Sequence, residues 1–129
     1  MQREAASKSI LIVEDSSTTR ALIRAIIEEM GDFTIVEAGS GFEALKLLPT
    51  EEFSLVITDV NMPDINGLEL INFIKNNPRY THMPLIIVST ERSEEDKKRG
   101  MALGAMAYIT KPFKAYELQE VIKQAITGI

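Results

Sequence analysis

Carboxylate, hydroxyl and ammonium side chains follow four apolar stretches of the sequence, each at the point where the stretch ends. Glu14 and Asp15 follow the first stretch, and Asp59 follows a later one. Ser89 ends another stretch, and Lys111 comes after the last. Carboxylates can bind a cation or attack phosphorus, and a lysine and a hydroxyl can hold phosphoryl oxygens. These residue types therefore predict phosphoryl chemistry, provided that the fold brings them together.

The apolar stretches have the length and composition of buried strands, and amphipathic stretches with helical spacing lie between them. We predict strands at 9–13, 34–37, 55–58, 84–89 and 107–109. Ser40 and Glu43 form a capping-box signature, and Pro49 is expected to close that helix. The helices are predicted at 18–30, 40–48, 67–75, 93–103 and from about 116 to 126.

Five strands that alternate with five helices predict an α/β protein, whose parallel sheet is covered by helices on both faces. In such sheets ligands bind at the carboxyl ends of the strands, where the strand order reverses. If the order is 2-1-3-4-5, strands one and three are central neighbours. Asp15 and Asp59 then face each other, while Ser89 and Lys111 approach from the other side.

A cluster of carboxylates requires compensation, because two unit charges about 4 Å apart repel by roughly 4 kcal/mol at an effective dielectric constant of 20. Either one acid takes up a proton or a cation binds. Carboxylates without histidine or cysteine suit Mg²⁺, with Mn²⁺ as a second choice. Asp59 could then attack phosphorus, while Lys111 and Ser89 hold the transferred group.

Composition limits the class of protein. The 129 residues are 45% hydrophobic and fit one domain, which we place at 9–129 after a short flexible tail at 1–8. A net charge of -5 argues against nucleic acid as a partner, and the lack of cysteine excludes disulfides and thiolate sites. Without a signal peptide or an apolar run of about 20 residues, we expect a cytoplasmic protein with no membrane insertion.

Five separated motifs stand at these turns: Glu14-Asp15, 58–63 (TDVNMP), Asn66-Gly67, Ser89-Thr90 and 108–113 (YITKPF). With these motifs in this order, residues 9–127 resemble the receiver domains of two-component response regulators, especially the single-domain chemotaxis type, CheY. The resemblance implies a flavodoxin-like, doubly wound, five-stranded parallel sheet of order 2-1-3-4-5.

The resemblance also implies roles for individual residues in the acidic cluster. Asp59 would be the phosphoacceptor. Asp15, Asp59 and the main-chain carbonyl of Asn61 would bind Mg²⁺ directly, and Glu14 would reach the ion through water. Position 14 departs from the commonest pattern, which has Asp, and the extra methylene bears on metal affinity and on the lifetime of the phosphoryl group.

Further residues are implied to act in switching or to have structural roles. Ser89 would be the switch hydroxyl, and Tyr108 would turn inward when the phosphoryl group forms. The Lys111–Pro112 peptide bond is expected to be cis. The residues implied to tune the phosphoryl lifetime are Asn61 and Glu91, and Gly67 begins the third helix.

A signalling switch of this family implies protein partners. A histidine kinase would donate the phosphoryl group, a phosphatase could remove it, and a downstream protein would read the surface made by helix four, strand five and helix five. A flagellar motor component is the usual partner for a lone domain. A phosphorelay intermediate, or another regulator unconnected with motility, is the alternative. The chain is expected to be a monomer and not a turnover enzyme.

Three readings from other classes stay open. A phosphatase of the haloacid-dehalogenase class also uses an Asp after a strand with Mg²⁺, but it needs a second carboxylate where this chain has Asn61. A flavodoxin would use 16–19 as a phosphate loop, although Glu14 and Asp15 would repel that phosphate. A receiver fold that no longer accepts phosphate is disfavoured by the intact site residues.

Overall fold

Five strands alternate with five α-helices in this computed structural model, which describes residues 8–90 and 94–127. The strands, β1 to β5, are Lys8–Val13, Phe33–Ala38, Leu55–Thr58, Leu85–Ser89 and Ala107–Thr110. The helices, α1 to α5, are Ser17–Glu28, Gly41–Leu47, Gly67–Lys75, Glu94–Leu103 and Ala115–Thr127, and a 3-10 helix, Leu48–Thr50, follows α2.

The strands form one parallel sheet in the order β2-β1-β3-β4-β5. The predicted α/β class and strand order are therefore confirmed. Strands β1 and β3 are neighbours, and their register pairs Val13 with Thr58. The residues that follow this pair, Glu14 and Asp59, consequently emerge side by side at the carboxyl end of the sheet.

Alternate residues of the central strands face two separate cores, as the period of a strand requires. In β1, Leu11 and Val13 contribute to the core shared with α2 and α3, whereas Ile10 and Ile12 contribute to the core shared with α1 and α5. Since both faces are covered, all four of these side chains are fully buried. Burial on both faces explains why the strands read as continuous apolar runs.

Several element boundaries differ from the predictions by one or two residues. Strand β1 begins at Lys8, inside the stretch expected to be a tail, and residues 1–7 lie outside the described part of the chain. Strand β4 begins at Leu85 because Pro84 has no N–H for the ladder. Helix α1 ends at Glu28, before Gly31, whose φ of 144° favours glycine.

Two predictions about α2, the capping box at its start and the proline that ends it, require correction. Ser40 caps α2 by accepting from the amide of Glu43, but the Glu43 carboxylate accepts from the amide of Gly39 instead of closing a box on Ser40. The reciprocal capping box occurs at α3, where Asn66 and Glu69 satisfy each other's amides. Pro49 does not end the helical conformation after α2 but takes part in the 3-10 helix that follows it.

Helix α4 is the most polar helix, and its buried residue is Gly100. A Cβ at Gly100 would lie 2.6 Å from the Cδ1 of Ile87 in β4 and 3.5 Å from the Tyr108 ring in β5. The glycine therefore lets α4 approach the sheet closely without inserting a side chain of its own.

Candidate functional site

The carboxyl ends of β1, β3, β4 and β5 bring the predicted site residues together. The amide of Asp59 donates to the carbonyl of Val13 at 3.1 Å, which extends the β1–β3 ladder to the acidic residues. On the other side, the amide of Lys111 donates to the carbonyl of Ser89 at 2.8 Å. The main chain at these strand ends is thus fixed by the sheet itself.

Three carboxylates form a cluster at this edge. Ligand oxygens of Glu14, Asp15 and Asp59 all lie within 4.8 Å of one another. Glu14 and Asp59 are only 2% and 7% exposed, whereas Asp15 is exposed to solvent. The arrangement is a shallow acidic site with two buried carboxylates at its base and one at its rim.

The ammonium group of Lys111 contacts both buried carboxylates. Its Nζ lies 3.0 Å from Oε1 of Glu14 and 3.4 Å from Oδ2 of Asp59. Since one ammonium offsets one of three carboxylate charges, the cluster keeps a net negative charge when all three acids are ionised. This charge and the oxygen-only donor set suit a divalent cation such as Mg²⁺.

Glu14 is held by two donors. Oε2 accepts from the amide of Ser16 at 3.0 Å, and Oε1 faces Lys111. Burial raises the pKa of the Glu14 carboxyl above its usual range, although the Ser16 amide and the Lys111 ammonium act in the opposite direction. Nothing in the order of residues indicated that Glu14, rather than Asp15, is the buried member of the acidic pair.

Asp59 is oriented by its own turn. Oδ1 accepts from the amides of Val60 at 2.6 Å and Asn61 at 3.3 Å, so Oδ2 is the oxygen beside Lys111. Gly67 packs against this turn, and its amide donates to the carbonyl of Val60 at 2.8 Å. The carboxylate therefore presents one anchored oxygen and one oxygen that faces the lysine.

The other predicted residues occupy different environments. Ser89 is fully buried at the end of β4, and Tyr108 is half-buried against the core shared with α2 and α3. Asn61 is exposed at the rim, and the Lys111–Pro112 peptide bond is cis, as the resemblance implies. Glu91 lies outside the described residues.

One residue close to the acidic turn was missed by the sequence reasoning. Arg20, in α1, donates from Nη1 to the main-chain carbonyl of Glu14 at 2.6 Å and from Nε to Glu37 in β2 at 2.9 Å. Arg24, one turn later, donates to the same Glu37 at 2.6 Å. The pair of arginines four residues apart was the available signal, since such residues share a helix face.

A groove of about 600 Å³ lies at the amino ends of the strands, at the other end of the sheet from the acidic cluster. It is lined by residues at or before the starts of β1, β3 and β4, including Ser9, Phe53 and Met83. None of the three acidic residues of the cluster lines it, so the groove is separate from the site at the carboxyl ends of the strands. In the described part of the chain, no helix has both the length and the apolar character needed to cross a membrane.

Comparison with known proteins gives consistent matches. The family model described as the response regulator receiver domain matches residues 10–123. A chemotaxis protein CheY homolog of Campylobacter jejuni is 36% identical over 118 residues, covering 91% of each chain. The chemotaxis protein CheY of Pseudomonas aeruginosa is 33% identical over 115 residues, which cover 89% of this chain and 93% of that protein.

A solved structure matches in the same way. The chemotaxis response regulator CheY4 of Vibrio cholerae superposes with a TM-score of 0.84 at 29% identity. The match covers 93% of this chain and 99% of that one. Fold and sequence therefore point to the same family over nearly the whole chain.

Proposed function

We propose that this chain, which belongs to the response regulator receiver domain family, is a switch that is controlled by phosphorylation of Asp59. Receiver domains are signalling proteins of two-component systems, and we assign the upstream partner as a histidine kinase. The observation that carries the proposal is the position of Asp59 Oδ2, 3.4 Å from the Lys111 ammonium inside a cluster of three carboxylates. The Lys111 ammonium beside this carboxylate can neutralise the charge on an oxygen of an incoming phosphoryl group.

The donor set fits a divalent cation. We assign Asp15, Asp59 and the main-chain carbonyl of Asn61 as direct ligands of Mg²⁺, with Glu14 acting through water and Mn²⁺ able to replace Mg²⁺. The exposed position of Asp15 supports this role, because Mg²⁺ retains several waters and binds where solvent can reach it. When bound, the ion supplies positive charge to the oxygens of the phosphoryl group.

The residues of the chain then perform the transfer. The amides of Val60 and Asn61 fix Oδ1 of Asp59, so Oδ2 is the nucleophile. The Oδ2–phosphorus bond forms as the bond from phosphorus to the donor histidine nitrogen breaks, and the imidazole leaves with that electron pair. Lys111 neutralises charge on a phosphoryl oxygen, and the Ser89 hydroxyl donates a hydrogen bond to another.

The phosphoryl group carries about two negative charges and replaces the single charge of the Asp59 carboxylate, so the site gains about one negative charge next to buried residues. We propose that Ser89 moves toward it and that Tyr108 turns further inward, which changes the surface formed by α4, β5 and α5 for a downstream protein. Asn61 and Glu91 would tune the lifetime of the group, and a phosphatase could shorten it. The chain would act as a cytoplasmic monomer.

The pathway is proposed from the named relatives. Two curated relatives are named as chemotaxis proteins at 33–36% identity. We therefore propose the flagellar motor as the destination of the signal. A phosphorelay would use the same transfer to Asp59 but would pass the group to a second histidine.

The test is phosphorylation by acetyl phosphate in the presence of Mg²⁺, followed by intact-protein mass measurement. We expect the wild type to gain one phosphoryl group and Asp59→Asn to gain none. Asp32→Asn is the matched control, because Asp32 is an exposed acid directly before β2, at the amino ends of the strands and away from the acidic cluster. An equal gain in Asp59→Asn, or no gain in the wild type, would overturn the proposal.

A further inference from the structure

Arg20 joins the acidic turn to strand β2. Its guanidinium group donates from Nη1 to the carbonyl oxygen of Glu14 at 2.6 Å and from Nε to the Glu37 carboxylate at 2.9 Å. The side chain is 21% exposed, so these bonds are shielded from much of the solvent. We infer that Arg20 is a positioning residue that sets the affinity of the acidic site for a divalent cation, an inference that rests on the metal site of the proposed function.

The bond to the Glu14 carbonyl acts directly on Asp15. The carbonyl of Glu14 and the amide of Asp15 belong to one planar peptide group. A bond that holds the Glu14 oxygen therefore orients this plane and with it the main chain at Asp15. On the other side, the amide of Glu14 donates to the carbonyl of Ala38 at 3.0 Å. The main chain of Glu14 is therefore held on both sides, and the exposed carboxylate of Asp15 takes its position from it.

An arginine is suited to this position because its donors form a rigid, planar fork. Glu37 holds the edge that carries Nε, which aims Nη1 at the turn. A lysine has a single ammonium on a flexible stem and could serve one of these acceptors without orienting itself toward the other. Arg20→Lys is therefore expected to keep the charge but lose the geometry.

Arg24 provides a matched comparison. It lies four residues after Arg20 on α1 and donates to the other oxygen of Glu37 at 2.6 Å. Its remaining contacts are with the carbonyl of Ile35 and the carboxylate of Glu28, rather than with the acidic turn. Replacing either arginine removes one positive charge and one bond to Glu37, but only the Arg20 variant releases the Glu14 peptide group.

The experiment is a calorimetric titration of the full chain with Mg²⁺, repeated with Mn²⁺, for the wild type, Arg20→Gln, Arg20→Lys and Arg24→Gln. Loss of a residue that orients metal ligands typically weakens metal binding by about 10 to 100-fold. We expect Arg20→Gln to weaken binding by about tenfold, Arg20→Lys to recover only part of that loss, and Arg24→Gln to stay within about twofold of the wild type. Thermal melts of all four proteins verify that they are folded.

Each outcome decides the inference. Equal weakening in Arg20→Gln and Arg24→Gln would overturn it, since the effect would then come from charge or from helix α1 as a whole. Wild-type affinity in Arg20→Gln would also overturn it, and if that variant does not fold, wild-type affinity in Arg20→Lys would do the same. A wild type that binds Mg²⁺ but takes no phosphoryl group would refute the proposed function and leave the affinity comparison standing.

Discussion

Gly67 lies directly against the main chain of the proposed phosphoacceptor. A Cβ at this position would overlap the carbonyl oxygen of Asp59 and would stand 2.9 Å from the Cα of Val60. Both neighbours are backbone atoms, which cannot rotate away as a side chain could. The turn after β3 can therefore close over Asp59 only if position 67 has no side chain.

Gly67→Ala should lower the free energy of unfolding by about 3 kcal/mol, because overpacking against a fixed backbone forces the turn to shift. Gly39→Ala is the control, since its Cβ would meet its nearest atoms, on Arg20 and Glu43, at 3.5 and 3.6 Å. That variant should stay within about 0.5 kcal/mol of the wild type. Urea unfolding measures both values, and similar losses in the two variants would refute the argument.

The sequence predicted which residues meet at the site better than how they are held. The types and strand-end positions of Asp59 and Lys111 were enough to place them together once the sheet was assumed. The burial of Glu14 and the contact of Arg20 with its carbonyl were not predictable, because both depend on how α1 packs beside β1 and β2. Spacing along one helix indicates a shared face but not the residue that this face touches.

At the scale of elements, the loop between β3 and α3 is fastened to helix α2. The carboxylate of Asp64 accepts from the amides of Gly41 at 3.1 Å and Phe42 at 2.8 Å, both in the first turn of α2. A Cβ at Gly41 would lie 2.8 Å from the Cβ of Ile65, so the two segments are also in close contact. The loop that carries Asn61 is therefore anchored at Asp64 and Ile65 as well as at Gly67.

The anchor predicts a dependence of stability on pH. The amide of Phe42, with further help from those of Ile65 and Gly41, lowers the pKa of Asp64 from 3.8 to about 2. A carboxyl whose pKa is lower in the folded state stabilises the fold at pH values above its unfolded-state pKa. That stabilisation is lost as the pH falls from about 4 to about 2. Asp64→Asn should remove this contribution and flatten the pH profile of stability in that range.

Urea unfolding at a series of pH values checks the expectation. Ser40→Ala is the control, since the Ser40 hydroxyl caps α2 through the amide of Glu43 and does not titrate in this range. Its effect should be nearly the same at every pH. A profile for Asp64→Asn that runs parallel to the wild type would show that the amides of α2 do not hold the ionised carboxyl.

The bounds of the elements were predictable where local signals agreed. Helix α3 and strand β3 have the predicted bounds, because an apolar strand, a turn with Gly67 and an amphipathic stretch follow one another without conflict. The signal was ambiguous at α2, where a proline can end a helix or open a 3-10 turn. There the chain continues as Leu48–Thr50.

For the whole molecule, the alternation of strands and helices predicted the class, and the family resemblance predicted the strand order. The alternation alone could not give the order, since a parallel sheet can be wound in several ways with the same sequence of elements. The register of Val13 with Thr58 then places the acids beside each other. Side-chain contacts between distant elements, such as Arg20 with Glu37, followed only from the folded structure.

The glycine contact of α4 has a consequence for how stability is distributed over the molecule. Helix α3 buries five residues, whereas α4 buries Gly100 alone over Glu94–Leu103. Little apolar surface has to be exposed for α4 to detach, so its local opening should require much less free energy than global unfolding. An allosteric coupling is typically about 1–3 kcal/mol, so a lower opening energy lets such a coupling supply a larger share of what is needed to displace α4.

Native-state hydrogen exchange measures this difference. Amide protons of α4 should have protection factors well below those of α3, and they should exchange without the rest of the sheet opening. Equal protection in the two helices would mean that α4 unfolds only with the whole domain. If the expectation holds, the molecule carries beside β4 and β5 a segment that samples an open state many times during the life of the folded protein.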